Sequence, residues 1–99
     1  DRSWKLLEQN VEPVGGYKYL YQILEYPEMA RSMNRSGVSY FSFMVGSDGS
    51  ISEFNLLKSS YPDLDEAAEI AIKKVTWIPA NYRGRILPYQ MILPIHFRL

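Results

Sequence analysis

The chain has 99 residues, of which 46% are hydrophobic and 22% are charged, and these values are typical of a single globular domain. Its 11 basic and 11 acidic residues cancel, so the sequence lacks the charge excess of a protein that binds nucleic acid or anionic lipid. The absence of cysteine excludes disulfides, thiolate catalysis and cysteine-based zinc sites. No apolar run approaches the ~20 residues of a membrane span. Because the chain starts at Asp1 without an initiator methionine, we expect it to be a piece of a longer protein, with any anchor upstream.

The first 25 residues are predicted to form an extended arm followed by a short helix. Scattered apolar residues, closed by Pro13 and Gly15-Gly16, predict an extended arm or short helix that lays Trp4 on the domain. Over 17–25 the apolar residues recur at i, i+3, i+4 and i+7, which predicts a short amphipathic helix. These residues are Tyr17, Leu20, Tyr21 and Leu24.

Pro27 separates this helix from a second one. The residue before a proline is pushed out of the α region, whereas a proline can open a helix at its first position. We therefore expect a second helix over 28–35, with Gly37 as its C-terminal stop. The residues expected to face inward are Met29, Ala30 and Met33.

Residues 37–58 have the pattern of a β-hairpin. Apolar and aromatic side chains dominate 38–45, with serines between them, which suits a largely buried strand. Asp48-Gly49 supplies the turn, because glycine takes a positive φ without steric cost. The chain then resumes as a second strand over 51–58.

The segment 64–75 is the clearest helix in the sequence. Acidic residues occupy its first turn and lysines its last, which complements the helix macrodipole. Trp77-Ile78-Pro79-Ala80 ends the helix, and 81–84 is predicted to be a loop. The expected buried stripe is Leu64, Ala68, Ala71, Ile72 and Val75.

The last segment, 85–99, is predicted to be one long edge strand. Its odd-numbered residues from Leu87 to Leu99 are apolar and are expected to meet the helices. Pro88 and Pro94 have the same parity, so their missing N–H groups point to the same side of the strand. A central strand would lose two ladder bonds there, whereas an edge strand need not. This strand is therefore expected to have a free edge.

Together these elements predict an α+β fold with two layers. Numbered in chain order, the three strands form an antiparallel sheet of order 2-1-3, with helices packed on one face and the short N-terminal helices before the hairpin. Pairing of the last strand beside the second would instead make a parallel contact, and we favour the all-antiparallel sheet.

The titratable residues form no catalytic constellation. His96 is the only histidine, and without cysteine or a clustered carboxylate nearby it fits a surface or half-buried strand position better than a base or a ligand. Asp63, Asp65 and Glu66 fit a helix N-terminus better than a metal site. We therefore predict no catalytic residue, no metal site and no cofactor. The free edge favours a non-enzymatic module suited to strand addition.

Several short motifs follow one another along the chain. They are Tyr26-Pro27-x-x-Ala30, Gly37 leading into 38–45, Asp48-Gly49, 64–71, Trp77-Ile78-Pro79-Ala80, Gly84 and Leu93-Pro94-Ile95-x-Phe97. In this order and spacing they resemble the C-terminal domain of TonB energy transducers over roughly residues 25–99. The preceding 12–16 and the short helix are similar to the Bacteroidetes-type variant of the family, which carries Pro at the position of Val14.

The resemblance implies one domain over 1–99, with an N-terminal extension and short helix over 1–24 and a core over 25–99. It also implies that Phe41, Phe43 and Val45 point to the helices. The implied localisation is periplasmic, in a protein anchored in the bacterial inner membrane by an N-terminal helix.

The resemblance also implies the partners. Such a domain binds the TonB box of outer-membrane TonB-dependent transporters by adding it as a strand, without nucleic acid. Inner-membrane motor proteins, reached through the part of the protein upstream, then use the proton-motive force to pull the transporter plug open for siderophores or other cargo. The sequence leaves open whether the domain is a monomer or a homodimer; several fragments of the family pair through these same strands, so dimerisation would compete with docking.

The docking strand implied by the resemblance is 85–93, flanked by the Tyr26-Pro27 region. In family members a glutamine three residues before the Tyr-Pro pair contacts the box; here Ile23 holds that position and Gln22 lies one residue earlier. The implied partner-binding residues are Gln22, Ile23, Tyr26, Pro27, Arg85, Ile86, Leu87, Tyr89, Gln90, Met91 and Leu93.

Two other functions are weighed against the transducer. The same fold could serve as an accessory domain of a membrane sensor metallopeptidase or a lipoprotein, which a multi-span or peptidase region upstream would indicate. A single membrane helix with a Pro-rich linker would indicate the transducer instead. A small hydrolase or metal-dependent enzyme would need a catalytic group around His96, and the sequence offers no obvious one.

Overall fold

The domain combines three helices with a central three-stranded antiparallel sheet, in a computed structural model that describes residues 11–99. In chain order its elements are β1 (Glu12–Pro13), α1 (Gly16–Ile23), α2 (Glu28–Ser32), β2 (Gly37–Val45), β3 (Ile51–Lys58), α3 (Pro62–Lys74), β4 (Trp77–Ile78), β5 (Ala80–Tyr82), β6 (Arg85–Leu87) and β7 (Tyr89–Phe97). Over these described residues, no helix is both long enough and apolar enough to cross a membrane.

β2 is the central strand of the sheet. It pairs antiparallel with β3 on one side and with β7 on the other, so the strand order is β3-β2-β7. This confirms the predicted order, in which the first strand of the hairpin lies in the middle. The β2–β7 ladder runs unbroken from Gly37↔Phe97 to Val45↔Tyr89, whereas the β2–β3 ladder shifts register at two points.

The hydrophobic core lies between this sheet and α3. On β2, Phe41, Phe43 and Val45 are all buried, which confirms their inward direction. Every residue of the stripe predicted for α3 is buried as well: Leu64, Ala68, Ala71, Ile72 and Val75. On β7, the buried residues are Leu93, Ile95 and Phe97. Leu99, predicted to face inward, is 57% exposed because it lies beyond the end of β7.

A buried polar cluster joins β2 to the start of α3. The carboxylate of Asp65 accepts hydrogen bonds from the hydroxyls of Ser39, at 2.5 Å, and Ser59, and from the N–H of Ser60 at 3.2 Å. The hydroxyl oxygens of Ser39 and Ser60 are themselves 2.7 Å apart. Asp65 therefore belongs to the first turn of the helix, as its sequence position indicates, and also fastens β2 to the segment that precedes α3.

α2 is shorter than predicted, and two of its expected inward residues are exposed. The helix ends at Ser32. Met29 and Met33 are 63% and 55% exposed, whereas Ala30 is fully buried. A helix of little more than one turn presents one residue to the core, so the prediction for the two methionines is wrong.

The stop of α2 also differs from the prediction. Asn34 adopts a φ of 57°, and the N–H of Arg35 donates to the carbonyl oxygen of Ala30 at 2.8 Å. This left-handed residue and the bond around it end the helix, a role that asparagine can take in place of glycine. The assignment of Gly37 as the stop is therefore wrong, since Gly37 is the first residue of β2.

Pro88 divides the predicted last strand into two. β6 ends at Leu87 and pairs with β5, whereas β7 begins at Tyr89 and pairs with β2. A proline cannot donate to a ladder and fixes its own φ, which suits a break between two pairings. The prediction of one continuous strand over 85–99 is therefore wrong.

β5 and β6 form a small hairpin where a loop was predicted over 81–84. Its register pairs Tyr82 with Arg85, which leaves Arg83 and Gly84 as the two turn residues. Their φ values are 51° and 77°, and positive φ at both positions is the geometry of a type I′ turn. The N–H of Gly84 donates to Oδ1 of Asn81 at 3.0 Å, which braces the turn.

β1 attaches the N-terminal arm to the segment that follows α3. Glu12 pairs with Ile78 and Pro13 with Trp77, and the side chain of Pro13 is fully buried. An extended arm is thus present over the last residues of the predicted segment, while the expected contact of Trp4 lies outside the described residues. The indole N–H of Trp77 donates to the carbonyl oxygen of Ile72 at 3.0 Å.

α1 lies between this arm and the end of β7. It stops at Ile23, two residues before the predicted end. Leu20 is fully buried, and the ring of Tyr17 meets Trp77 edge-on with centroids 6.3 Å apart. Tyr21 points elsewhere: its hydroxyl reaches the main chain of β7.

Candidate functional site

β7 is an edge strand, because it pairs with β2 on one side and with no strand of the described chain on the other. The direction of its N–H groups follows from one contact. The N–H of His96 donates to the hydroxyl of Tyr21 at 3.1 Å, so it points away from β2. In an unbroken antiparallel ladder the direction alternates with every residue, so Gln90 and Ile92 present their N–H groups to the same side.

Pro94 has the same parity and no N–H to present. Its position agrees with the sequence argument that the prolines of this segment face a free edge. We call the outward-facing main chain of residues 90–94 the β7 edge. It offers two donors, from Gln90 and Ile92, and three carbonyl acceptors, from Gln90, Ile92 and Pro94.

The opposite edge of the sheet is less suited to accept a strand. β3 carries both register shifts of the β2–β3 ladder, and its Glu53 adopts a φ of 51°. Such irregularities bend a strand and disrupt its row of hydrogen-bonding groups. The β7 edge is therefore the regular one.

Side chains alternate along β7 in the same way. Leu93 is buried, and Tyr89 and Met91 pack against the core, so these three predicted site residues support the sheet from within. Gln90 is exposed on the outer face, and Ile92 beside it is 65% exposed. Ile92 was not among the predicted site residues, although the alternation of the strand already placed it on that face.

The other predicted residues of the docking strand lie in the β5–β6 hairpin. Arg85 and Ile86 are exposed and Leu87 is half-buried. All three pair with β5 and are separated from β7 by Pro88. The predicted docking strand therefore spans two elements, of which β7 alone belongs to the central sheet.

The Tyr-Pro pair lies at the far end of β7. The ring of Tyr26 meets Phe97 edge-on with centroids 5.5 Å apart, and its hydroxyl donates to the carbonyl oxygen of Arg35. The guanidinium of Arg31 lies 5.4 Å from the centroid of the Tyr26 ring. Tyr26 therefore joins α2 and the segment between α2 and β2 to the end of β7.

A groove of about 300 Å³ separates this region from α3. Ile23, Tyr26 and Pro27 line one side, and Ala67 and Ile70 line the other. Acidic side chains, among them Glu25, Glu28 and Glu66, form part of its lining. We call it the Tyr-Pro groove. Gln22 is exposed on α1 and does not line it.

A second, more open hollow of about 580 Å³ lies between the β2–β3 turn and the end of α3. Its lining combines apolar residues with polar and charged ones, which include Asp48, Ser50, Glu53 and Lys73. Across residues 11–99, no three His, Asp or Glu side chains lie together as metal ligands would.

The comparisons with known proteins agree on family and fold. The family model described as the Gram-negative bacterial TonB protein C-terminal matches residues 22–99. The solution NMR structure of the Pseudomonas aeruginosa TonB C-terminal domain is 22% identical, with a TM-score of 0.68 over 93% of this chain and 89% of that one. An NMR structure of the Helicobacter pylori TonB C-terminal domain is also 22% identical, with a TM-score of 0.64 over 84% of this chain and 76% of that one.

A search of curated proteins gives no match. The two solved structures, at their low identity, establish the fold, which is the predicted α+β arrangement. The family assignment rests on the family model, whose match covers most of the chain and includes all of the central sheet. The chain belongs to the family of Gram-negative bacterial TonB protein C-terminal domains, which are non-enzymatic interaction domains.

Proposed function

We propose that this domain captures the TonB box of outer-membrane TonB-dependent transporters by adding it as a strand along the β7 edge. The observation that carries the proposal is the outward direction of the Gln90 and Ile92 N–H groups on a regular edge strand. Family membership supports it, because the domains of this family are periplasmic and interact with outer-membrane TonB-dependent receptors.

Strand addition fits the chemistry of the β7 edge. Two donors and three acceptors lie in one row, and an extended peptide can satisfy them with its main chain whatever its side chains. The exposed side chain of Ile92 adds apolar surface beside that row. Affinity would then come from main-chain bonds, and side-chain contacts on the outer face would adjust it.

The Tyr-Pro groove is the proposed second contact. Ile23, Tyr26 and Pro27 line it, and the family resemblance gives this region a flanking role. In this proposal Gln22 and the β6 residues Arg85, Ile86 and Leu87 contact the peptide or its continuation from the exposed surface. Tyr89, Met91 and Leu93 act indirectly, by holding the strand against the core.

The same proposal assigns the domain a mechanical role. A peptide held on the β7 edge can transmit a pull to the transporter plug, which would drive nutrient uptake such as that of siderophores. The pull itself requires an anchor in the inner membrane and contact with proton-driven motor proteins, and we assign both to the part of the protein upstream of this domain.

The test is to remove one outward N–H without changing the rest of the sheet. Ile92→Pro deletes a donor of the β7 edge, while Ile92→Ala keeps the N–H and removes only the side chain. Amide NMR titration with a TonB-box peptide should give an affinity about three- to ten-fold lower for Ile92→Pro, the value of one hydrogen bond. Ile92→Ala should change the affinity by about two-fold or less, because the main-chain bonds that carry the affinity remain and only a side-chain contact is lost.

In the wild-type titration, the amide signals of Gln90 and Ile92 should show the largest shifts, and those around the Tyr-Pro groove should show smaller ones. Sedimentation at each concentration would show whether copies of the domain pair through the same edge and compete with the peptide. A folded Ile92→Pro variant that binds as tightly as wild type would contradict the edge assignment. Absence of any shift at millimolar peptide, with a folded monomer, would contradict the proposed function.

A further inference from the structure

α1 reaches the outward-facing side of β7 at His96, just beyond the β7 edge. The hydroxyl oxygen of Tyr21 accepts the N–H of His96 at 3.1 Å, although 75 residues of sequence separate the two. In an extended sheet this N–H would bond to a carbonyl oxygen of the next strand. The hydroxyl therefore occupies the acceptor position of an added strand, and the ring behind it lies in the path that such a strand would take past His96.

The remaining row of donors is short. Pro94 has no N–H, and the N–H of His96 is already bonded, so Gln90 and Ile92 hold the two donors left on β7. A peptide that extended past Pro94 would have to displace Tyr21. It would then gain the His96 N–H and break the bond that Tyr21 makes, which exchanges one hydrogen bond for another without net gain.

We infer that Tyr21 ends the docking edge, so that the domain pairs with a short extended peptide opposite residues 90–94 and excludes pairing beyond them. This inference rests on the proposed function and adds to it a limit on the length and register of the bound strand. The family model begins to match at residue 22. Tyr21 lies just before that point, so the stop belongs to the N-terminal extension rather than to the part of the chain that the family model describes.

The experiment compares two peptides of different length. One is a capped five-residue core of a transporter's TonB box, and the other carries two further native residues at each end. Both are titrated into wild type, Tyr21→Ala, Tyr21→Phe and Tyr19→Ala, and amide exchange is followed at His96. Tyr19→Ala is the matched control, since it removes another exposed tyrosine from the same helix.

The quantity that decides is the ratio of the affinities for the long and the short peptide. Removing Tyr21 opens the His96 N–H to the peptide, so this ratio should rise about three- to ten-fold in Tyr21→Ala relative to wild type. It should stay unchanged in Tyr19→Ala. Tyr21→Phe removes only the acceptor, so the His96 amide of the free protein should exchange faster than in wild type.

An unchanged ratio in Tyr21→Ala, with both peptides bound at Gln90 and Ile92, would overturn the inference and leave the proposed function standing. Slower exchange of the His96 amide in wild type bound to the long peptide than in wild type bound to the short one would do the same, because it would show pairing beyond Pro94. If Tyr21→Ala fails to fold, Tyr21→Ser, which also removes the ring from the path of the strand, decides by the same ratio. Failure of both peptides to bind wild type would overturn the proposed function and this inference with it.

Discussion

Asp65 is the residue on which the buried polar contacts of the domain converge. Its carboxylate is 8% exposed and accepts two hydroxyls and one N–H, from Ser39, Ser59 and Ser60. A buried carboxylate is tolerated when such donors surround it, and the donors in turn depend on the carboxylate. No buried side-chain nitrogen or oxygen of the described residues lacks a partner, and Asp65 accepts three of the bonds on which this depends around Ser39.

We expect Asp65→Ala to lower the free energy of unfolding by about 2–4 kcal/mol, because it removes three hydrogen bonds, one of them from the fully buried hydroxyl of Ser39. Asp63→Ala is the control, since Asp63 also lies in the first turn of α3 but is half-buried, with one local bond from the N–H of Leu64 at 2.9 Å and a pair with Arg35 at 3.9 Å. Its loss should cost about 1 kcal/mol or less. Urea unfolding of both variants measures the difference, and equal losses would contradict a special role for Asp65.

At the scale of elements, the turn between β2 and β3 is tied to β4. Asp48 accepts the N–H of Ser50 at 3.0 Å and its hydroxyl at 2.6 Å, and these bonds hold the pKa of the Asp48 carboxyl below its usual value. Gly49 follows with a φ of 83°. A Cβ at this position would lie 2.5 Å from the carbonyl oxygen of Trp77, so the tip of the hairpin packs main chain against main chain.

Gly49→Ala should therefore destabilise the domain by more than the left-handed φ alone would. The matched control is Gly84→Ala in the β5–β6 hairpin, where φ is 77° and no atom lies within 4 Å of the added methyl. We expect Gly84→Ala to lower the free energy of unfolding by about 1–2 kcal/mol, because alanine is strained at a left-handed φ. Gly49→Ala should lower it by about 2–5 kcal/mol, because the clash with Trp77 adds to that strain. Thermal unfolding of both variants tests this. A similar loss of stability in the two variants would show that the main chain at Trp77 shifts to accommodate the added methyl at little cost.

The elements that the sequence predicted well have a regular hydrophobic period. The stripe of α3 and the alternation of β2 and β7 each face one large surface, so their patterns report burial directly. The prediction failed where a short segment has no such surface. Met29 and Met33 lie on a five-residue helix, and the Arg83-Gly84 turn carries arginine where the common signals are asparagine and aspartate.

For the candidate site too, the sequence predicted the features that depend on local pattern and missed the others. The free edge of β7 could be deduced from Pro94 and the strand alternation, since both are local properties of the sequence. The contact between Tyr21 and His96 joins residues 75 positions apart and leaves no local pattern. The break at Pro88 was equally hidden, because an edge strand tolerates proline and a strand boundary also carries it.

At the scale of the whole molecule, Tyr17 lies where the N-terminal arm, α1 and β4 meet. Burial raises the pKa of its phenol above the ordinary value of 10.0, and the charge of Glu12 raises it further. Because the unfolded chain then releases this proton at a lower pH than the folded one, the free energy of unfolding falls as the pH rises from about 10 toward the folded pKa. Below that window the contribution is fully present.

We therefore expect wild type to lose stability above pH 10 more steeply than Tyr17→Phe, which has no phenol to ionise. Glu12→Gln should make the loss of stability with pH less steep than in wild type, because it removes one of the charges that oppose ionisation of Tyr17. Urea unfolding at several pH values between 8 and 11 measures the slopes. Parallel curves for wild type and Tyr17→Phe would show that this phenol does not set the alkaline limit.

If the domain transmits a pull, as the proposed function requires, β1 has a mechanical consequence. Two residue pairs hold β1 to β4, whereas nine hold β7 to β2. A load entering from the N-terminal side meets the shorter pairing first, and a detached arm lengthens by about 3.3 Å for each residue released. The arm would therefore detach from β4 while β7 stays paired with β2. Under the proposed function, a rising load would therefore lengthen the tether before it reaches the β2–β7 ladder.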